Sequence, residues 1–215
     1  MTLAIIEEQL VKSRQRVKAH GEVFTPHHMV QQMLDLVRED LETGTDFVDK
    51  TFLEPAAGDG NFLVAILRRK LAAIEKRLPA ETWPTESLFA LASIYGIELL
   101  EDNHDDAKAV MLAEFHGFHQ GHGTACGPET DLHQAAAFLI DTNIVRGNTL
   151  TGRTSEGEDI QFSWWNRVEG APGMVQRDPF TLASLHEDNG FDFTVYATYE
   201  PCRIEKVHEQ EKIDA

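Results

Sequence analysis

The sequence contains only two cysteines, Cys126 and Cys202, among its 215 residues. This excludes the disulfide framework typical of small secreted proteins, and a reducing cytoplasm is the expected compartment. The sequence also lacks an apolar run of the roughly 18 residues that a membrane-spanning helix needs, so no membrane partner is expected. Because its first residues lack the basic and apolar regions of a secretory signal, we expect a cytoplasmic location.

Positive charge is scarce in the second part of the chain. Residues 81–215 hold 8 Lys and Arg against 24 Asp and Glu, and the formal net charge of the whole chain is −17. A surface that binds DNA phosphates needs local positive charge, so this part of the chain is a poor nucleic-acid face. Its acidity favours contact with another protein or with a basic partner.

The first 46 residues predict a helical arm. Apolar spacing indicates a helix over 3–19 that stops at Gly21. A second helix is expected to begin at Thr25 and Pro26, with Thr25 as the cap and Pro26 in the first turn, and to end at Gly44.

Residues 47–150 predict an α/β core in which strands and helices alternate three times. The expected strands are 51–55, 91–97 and 143–146, and the expected helices are 61–78, 102–115 and 131–140. Such alternation is typical of a parallel sheet with crossover helices. A Gly- and His-rich loop is expected over 116–130.

The remaining residues, 151–215, predict a hairpin or irregular arm, a fourth strand and a charged tail. The fourth strand is expected at Phe191–Tyr196, and only 19 residues follow it. The predicted parallel sheet is therefore truncated after four strands.

Polar side chains end the first three predicted strands. Glu54 suits a cationic group, Glu98 could accept hydrogen bonds from ribose hydroxyls, and Asn148 could pair with an adenine edge. Together they describe a nucleoside with a charged tail. The alternatives are that Glu54 caps the next helix, that Glu98 is a solvated acid, and that Asn148 shapes a turn.

Four motifs in order resemble the cofactor motifs of N6-adenine DNA methyltransferases from restriction–modification systems. They are Gly21-Glu22-Val23-Phe24-Thr25-Pro26, Leu53-Glu54-Pro55-Ala56-Ala57-Gly58-Asp59-Gly60-Asn61-Phe62, Tyr95-Gly96-Ile97-Glu98 and Val145-Arg146-Gly147-Asn148-Thr149-Leu150. The resemblance implies a Rossmann-like fold that binds S-adenosyl-L-methionine (SAM).

The resemblance also assigns cofactor-binding roles. The Phe-Thr-Pro motif would border the methionine moiety, the glycine turn would surround its amino and carboxyl groups, and the later motifs would hold the ribose and adenine. The residues implied are Phe24, Thr25, Pro26, Glu54, Ala56, Gly58, Gly60, Phe62, Glu98 and Asn148.

The sequence departs from this family at the catalytic motif. Asn/Asp-Pro-Pro-Tyr/Phe should follow the fourth strand, where the family uses it to bind and stack on an adenine flipped out of the duplex. Ala197-Thr198-Tyr199-Glu200-Pro201 stands there instead, and Asp178-Pro179-Phe180 is the nearest fragment. The catalytic residues are therefore unknown, with Tyr199 as the candidate for stacking.

Two hypotheses fit these motifs. In the first, the chain is the SAM-binding component of a site-specific adenine-N6 DNA methyltransferase of a restriction–modification system. A protein partner would then supply Asn-Pro-Pro-Tyr and the target-recognition domain, and DNA would be contacted through that partner. In the second, the chain is a catalytically silent, methyltransferase-like interaction protein.

A metal site is not expected. His116, His119, His122 and Cys126 are residue types that bind zinc, but they lie among glycines and lack a second ligand pair at zinc-finger spacing.

Overall fold

The computed structural model describes residues 10–185 and 198–213, which form an α/β structure. The α-helices are α1 Arg14–His20, α2 His27–Asp35, α3 Asn61–Arg77, α4 Trp83–Ala92, α5 Glu101–Gly121 and α6 Asp131–Asn143. The strands are β1 Phe52–Glu54, β2 Ile94–Glu98, β3 Ile144–Asn148, β4 Arg153–Thr154, β5 Gln161–Arg167, β6 Met174–Thr181, β7 Thr198–Tyr199, β8 Cys202–Arg203 and β9 Lys212–Ile213. The predicted strand Phe191–Tyr196 lies outside the described residues.

The main sheet has the order β1-β2-β3-β4. The first three strands are parallel, in agreement with the sequence, but β4 is antiparallel to β3. The expectation of an all-parallel sheet is therefore wrong at this edge. The short turn that connects β3 to β4 allows only an antiparallel return, because a parallel connection needs a dozen or more residues.

Glycines let α3 approach its neighbours closely. A Cβ on Gly96 of β2 would lie 3.0 Å from Leu63 of α3, and a Cβ on Gly60 would lie 2.9 Å from the Cα of Ala107 in α5. Gly60 also has φ +94°, a conformation that favours glycine. These contacts pack α3 against both the sheet and α5.

The two N-terminal helices begin at other residues than the sequence predicts. In the described part, the first helix begins at Arg14, where the Ser13 side chain accepts a hydrogen bond from the Arg16 backbone, and it ends at Gly21 with φ 68° as predicted. Pro26 occupies the N-cap position of α2, so Thr25 is not the cap. A short π-helix, Glu39–Thr43, follows α2 and ends before Gly44.

Two helical segments were not predicted from the sequence. The span from Pro79 to Pro84, for which the sequence predicts no element, contains a 3-10 turn and the start of α4, where Pro84 lies in the first turn and loses no hydrogen bond. Helix α5 continues to Gly121 and so takes up residues 116–121 of the Gly/His-rich loop expected over 116–130. Burial of Phe115 and His119 in the core offsets the low helix propensity of the glycines there.

Residues 151–185 include a hairpin, one of the two alternatives that the sequence predicted for this segment. Strands β5 and β6 form a regular antiparallel pair, from Gln161↔Thr181 to Arg167↔Val175, and β8 adds to β6. The hydroxyl of Tyr95 in β2 donates to the Ser163 backbone carbonyl at 2.9 Å. This pair therefore packs against the main sheet.

All three predicted segments contribute to one hydrophobic core. Val30 of the arm, Ile97 of the α/β core and Phe162 of the last segment belong to the same buried cluster. Every helix in the described ranges is too short or too polar to cross a lipid bilayer.

Lys70 is completely buried in this core, under β1. Its ammonium donates hydrogen bonds to the carbonyls of Val48 and Lys50 at 2.9 and 2.6 Å and to the Ser93 hydroxyl at 2.6 Å. Burial removes the charged form from water and lowers the pKa of Lys70 from 10.5 to about 7.

We predict that the pKa of Lys70 makes stability rise with pH above neutrality. Between the pKa of Lys70 in the folded chain, about 7, and its ordinary value of 10.5 in the unfolded chain, Lys70 is protonated only when the chain is unfolded. Raising the pH removes this proton and therefore favours folding. The free energy of unfolding should increase by roughly 1 kcal/mol per pH unit from pH 7.5 to 9.5. Chemical denaturation of wild type and Lys70→Met across this range tests it, and equal slopes in both proteins would contradict the assignment.

Candidate functional site

A cavity of about 370 Å³ lies at the carboxyl ends of β1, β2 and β3. Its wall comes from four stretches of chain, within residues 21–25, 55–62, 98–103 and 147–150. Parallel strands end at the same edge of a sheet, and this brings together segments that are far apart in sequence. Each of the four sequence motifs contributes to this one cavity.

The glycine turn after β1 forms one wall. Gly58 has φ +56°, and a Cβ there would lie 3.3 Å from the ring of Phe24. The Phe24 ring thus lies directly against the turn, in a position that a larger residue at 58 would disturb. The backbone N–H of Phe24 donates to Leu10 O at 2.8 Å, so the segment that precedes α1 positions this residue.

Glu98 connects two walls of the cavity. It is buried, and its two carboxylate oxygens accept hydrogen bonds from the backbone N–H groups of Gly58 at 2.8 Å and Leu100 at 2.9 Å. Each carboxylate oxygen has a further lone pair, so Glu98 can still accept a hydrogen bond from a ligand hydroxyl. Its role as a merely solvated acid is excluded.

The turn after β3 forms another wall. Oδ1 of Asn148 accepts from the Leu150 backbone N–H at 2.9 Å, and the Thr149 hydroxyl donates to the Pro55 carbonyl at 2.5 Å. Asn148 therefore shapes its turn and also lines the cavity. The Thr149 contact fixes the end of β3 against the turn that follows β1.

An ionic network holds the N-terminal arm across the cavity. Arg16 donates from Nε and Nη2 to both Glu22 oxygens at 2.6 Å and also pairs with Asp102 at 2.6 Å. Lys12 bridges Asp102 and Asp106 at 3.1 and 2.8 Å. The Arg16 guanidinium holds the pKa values of Glu22 and Asp102 below their usual range. The arm is thus attached to the start of α5.

The cavity wall is acidic. Glu22, Asp59 and Glu98 contribute carboxylates, of which Glu22 is paired with Arg16, and none of the described residues that line the cavity is Lys or Arg. Burial raises the pKa of Asp59. Exposed apolar side chains at Val23 and Leu150 border the cavity as well. This wall suits a ligand with an apolar or aromatic body and positive charge, and it disfavours a phosphorylated one.

Some predicted cofactor residues do not line the cavity. Phe24, Thr25, Ala56, Gly58, Phe62, Glu98 and Asn148 line it, whereas Pro26, Glu54 and Gly60 are absent from its wall. Glu54 accepts a hydrogen bond from the Ala56 backbone N–H at 3.1 Å, and burial raises its pKa. In this structure Glu54 therefore stabilises the turn, and it does not cap the next helix, whose N-cap is Gly60 without a side-chain hydrogen bond.

Tyr199 lies outside the cavity wall, on β7. The guanidinium carbon of Arg177 is 4.4 Å from the centre of its ring. The Asp-Pro-Phe fragment is part of β6, where Phe180 stacks on Trp164 with ring centroids 4.3 Å apart. Both segments have structural roles here, and neither supplies a group to the cavity.

Sequence reasoning assigned no binding role to five polar residues of the wall, which are Glu22, Asp59, Asn61, Asn103 and Thr149. Asp59 lies inside the quoted glycine motif, and Asn103 lies in the first turn of α5, five positions after Glu98. The position of Asn103 after a strand-end acid was an available signal. No local pattern, in contrast, links Arg16 to Asp102.

The histidines of the Gly/His-rich segment point to different partners. Nε2 of His116 contacts Nδ1 of His133 at 2.7 Å, whereas Nε2 of His119 contacts the Ser87 hydroxyl at 2.9 Å. His122 packs edge-on against Trp83. These side chains do not converge on one point.

One group of possible metal ligands, Asp131, His208 and Glu209, lies elsewhere. The ammonium of Lys206 is 2.9 Å from Asp131 and 2.8 Å from Glu209. This cation already forms ion pairs with both carboxylates.

Comparisons with known proteins leave the family open. No protein-family model matches the chain, and the searches of curated proteins and of solved structures found no match.

We predict that Glu98→Gln lowers the free energy of unfolding by about 1 to 3 kcal/mol, because it weakens two charge-assisted hydrogen bonds in a buried position. Urea denaturation measures this change. The control is Glu101→Gln, since the Glu101 side chain is 70 % exposed and such substitutions shift stability by about 0.5 kcal/mol or less. Equal losses in the two variants would contradict the bridging role of Glu98.

Proposed function

We propose that this chain is the SAM-binding component of an adenine-N6 DNA methyltransferase, with a Rossmann-like methyltransferase fold. The observation that carries the proposal is the convergence of all four sequence motifs on one cavity at the carboxyl ends of parallel strands. That edge is where open α/β sheets bind nucleotide-like ligands.

The charge of the wall supports this ligand class. SAM is a cationic nucleoside derivative whose sulfonium supplies the methyl group for direct transfer to an adenine amine. In the proposal, Glu98 accepts from the ribose hydroxyls while it retains its bonds to Gly58 and Leu100. Asn148 and Phe62 flank the adenine, and the arm around Phe24 excludes water from the sulfonium side. These residues position the methyl donor.

A partner protein completes the proposed enzyme, because the sequence lacks Asn-Pro-Pro-Tyr. Two observations support such a partner. Within the described ranges β1 pairs with β2 alone, so one edge of β1 remains open, and Leu53 on this strand is exposed. Met29, Met33 and Leu36, at helical spacing on and just after α2, are exposed as well. Large exposed apolar side chains at such spacing are typical of protein interfaces.

We predict that the purified chain binds SAM with micromolar affinity in a calorimetric titration and does not bind ATP, because phosphates would face the acidic wall. Ala56→Phe should weaken SAM binding at least tenfold, since Ala56 is an exposed wall residue and a phenyl ring there obstructs the cavity. Ala72→Phe, on the exposed side of α3 and outside the cavity wall, is the matched control. Absence of SAM binding by wild type, or equal losses in both variants, would refute the site.

We further predict that the chain alone does not transfer a tritiated methyl group from SAM to DNA. Addition of a partner that carries Asn-Pro-Pro-Tyr should produce labelled N6-methyladenine. Transfer by the chain alone would show that no partner is needed. SAM binding without transfer in the presence of the partner would favour the silent interaction protein.

A further inference from the structure

A histidine and two carboxylates meet where the C-terminal segment packs on α6. Asp131 lies in the first turn of α6, and His208 and Glu209 lie at the end of the 3-10 turn Ile204–Glu209. Nε2 of His208 is 3.8 Å from Asp131 Oδ1 and 3.7 Å from Glu209 Oε1, and one ligand atom of each residue lies within 4.8 Å of the other two. Two stretches that are far apart in the sequence thus bring three metal-ligand atoms together.

Neither nitrogen of the His208 ring makes a hydrogen bond to a residue that the structure describes. Nδ1 is buried without a partner, and Nε2 lies beyond hydrogen-bond distance from the two carboxylates beside it. The side chain is only 12 % exposed. Because buried polar groups in native proteins are almost always satisfied, this ring points to a group that binds at Nε2.

The separations suit a zinc ion. Zinc binds imidazole nitrogen and carboxylate oxygen at about 2.0 to 2.2 Å, so two ligand atoms on a tetrahedral ion are about 3.4 Å apart. The histidine nitrogen lies a few tenths of an ångström beyond this separation from each carboxylate. About half of each acidic side chain is exposed, so both can rotate to close the difference. The nitrogen ligand favours zinc over magnesium and calcium, which bind oxygen.

Lys206 already places a positive charge at this point. Its ammonium is 2.9 Å from Asp131 and 2.8 Å from Glu209, so the two carboxylates hold one cation between them. The Lys206 side chain is 42 % exposed. Ion pairs at such exposure contribute little to stability, because the separated charges are well solvated. A zinc ion carries twice the charge and gains the imidazole as a third ligand, so the ammonium is a weak competitor for it.

We infer that Asp131, His208 and Glu209 form a zinc-binding site, in which the ion displaces the Lys206 ammonium and water completes the coordination. The site joins the C-terminal segment to the start of α6. It lies outside the cavity wall and does not depend on the proposed function. Residue spacing could not reveal it, because its ligands come from segments that are far apart in the sequence.

The test is a calorimetric titration of the full chain with zinc chloride in metal-free buffer. Wild type should bind one zinc ion with micromolar affinity. Asp131→Asn and His208→Gln should each weaken binding by about tenfold or more, because each removes one of the three ligands. Lys206→Met should strengthen binding by about threefold or more, because the competing ammonium is gone.

Two control variants test other positions for the ion. His116→Ala removes the close pair of imidazole nitrogens, 2.7 Å apart, that His116 forms with His133. Asp105→Asn repeats the change from carboxylate to amide at a 69 % exposed side chain of α5. Both should bind zinc like wild type. Thermal unfolding without zinc shows whether each variant is folded, and zinc should raise the melting temperature of wild type but not that of His208→Gln.

Three results would overturn the site. The first is wild type that binds no zinc, even if Lys206→Met binds it, since the lysine would then be the permanent cation. The second is unchanged affinity in Asp131→Asn or in His208→Gln, which would mean adventitious binding elsewhere on the surface. The third is loss of binding in His116→Ala, which would place the ion between α5 and α6. None of these results bears on SAM binding, which the cavity variant tests separately.

Discussion

The carboxylate of Glu98 is the contact on which the geometry of the cavity depends. It joins the turn after β1 to the end of β2 through two backbone N–H groups, Gly58 and Leu100. Without a buried acceptor at this point, both N–H groups would lose their partners and the turn would lose its position relative to the sheet. Phe24 packs on that same turn, so the position of the arm also depends on it.

The sequence predicted the elements whose signals are local. Strand ends and glycine turns can be recognised from a few neighbouring residues, and parallel pairing then places Glu98 and Asn148 at one edge. Helix α4 and the end of α5 were not recognised, and the β5–β6 hairpin was only one of two alternatives for its segment. Their stability comes from contacts with distant residues, such as the one between His119 and Ser87, and these leave no periodic pattern in the sequence.

The same distinction applies within the site. Asp59 and Asn103 are ordinary residues in the sequence, and their position in the cavity wall emerges only from the fold. Glu54, in contrast, has a conspicuous position at a strand end, but its carboxylate bonds to the local turn. A strand-end acid can therefore stabilise the loop that follows it as readily as it can bind a ligand.

The attachment of the arm has a consequence for the conditions in which the protein works. Lys12 and Arg16 bind Asp102 and Asp106 at the surface, where about half of each acidic side chain is exposed. Ionic strength screens such pairs, with a Debye length of about 8 Å at physiological salt. Concentrated salt would thus weaken the attachment of the arm, whose residues 21–25 line the cavity, and leave the segments at the strand ends in place. A ligand in the cavity would therefore exchange faster in concentrated salt than in dilute buffer.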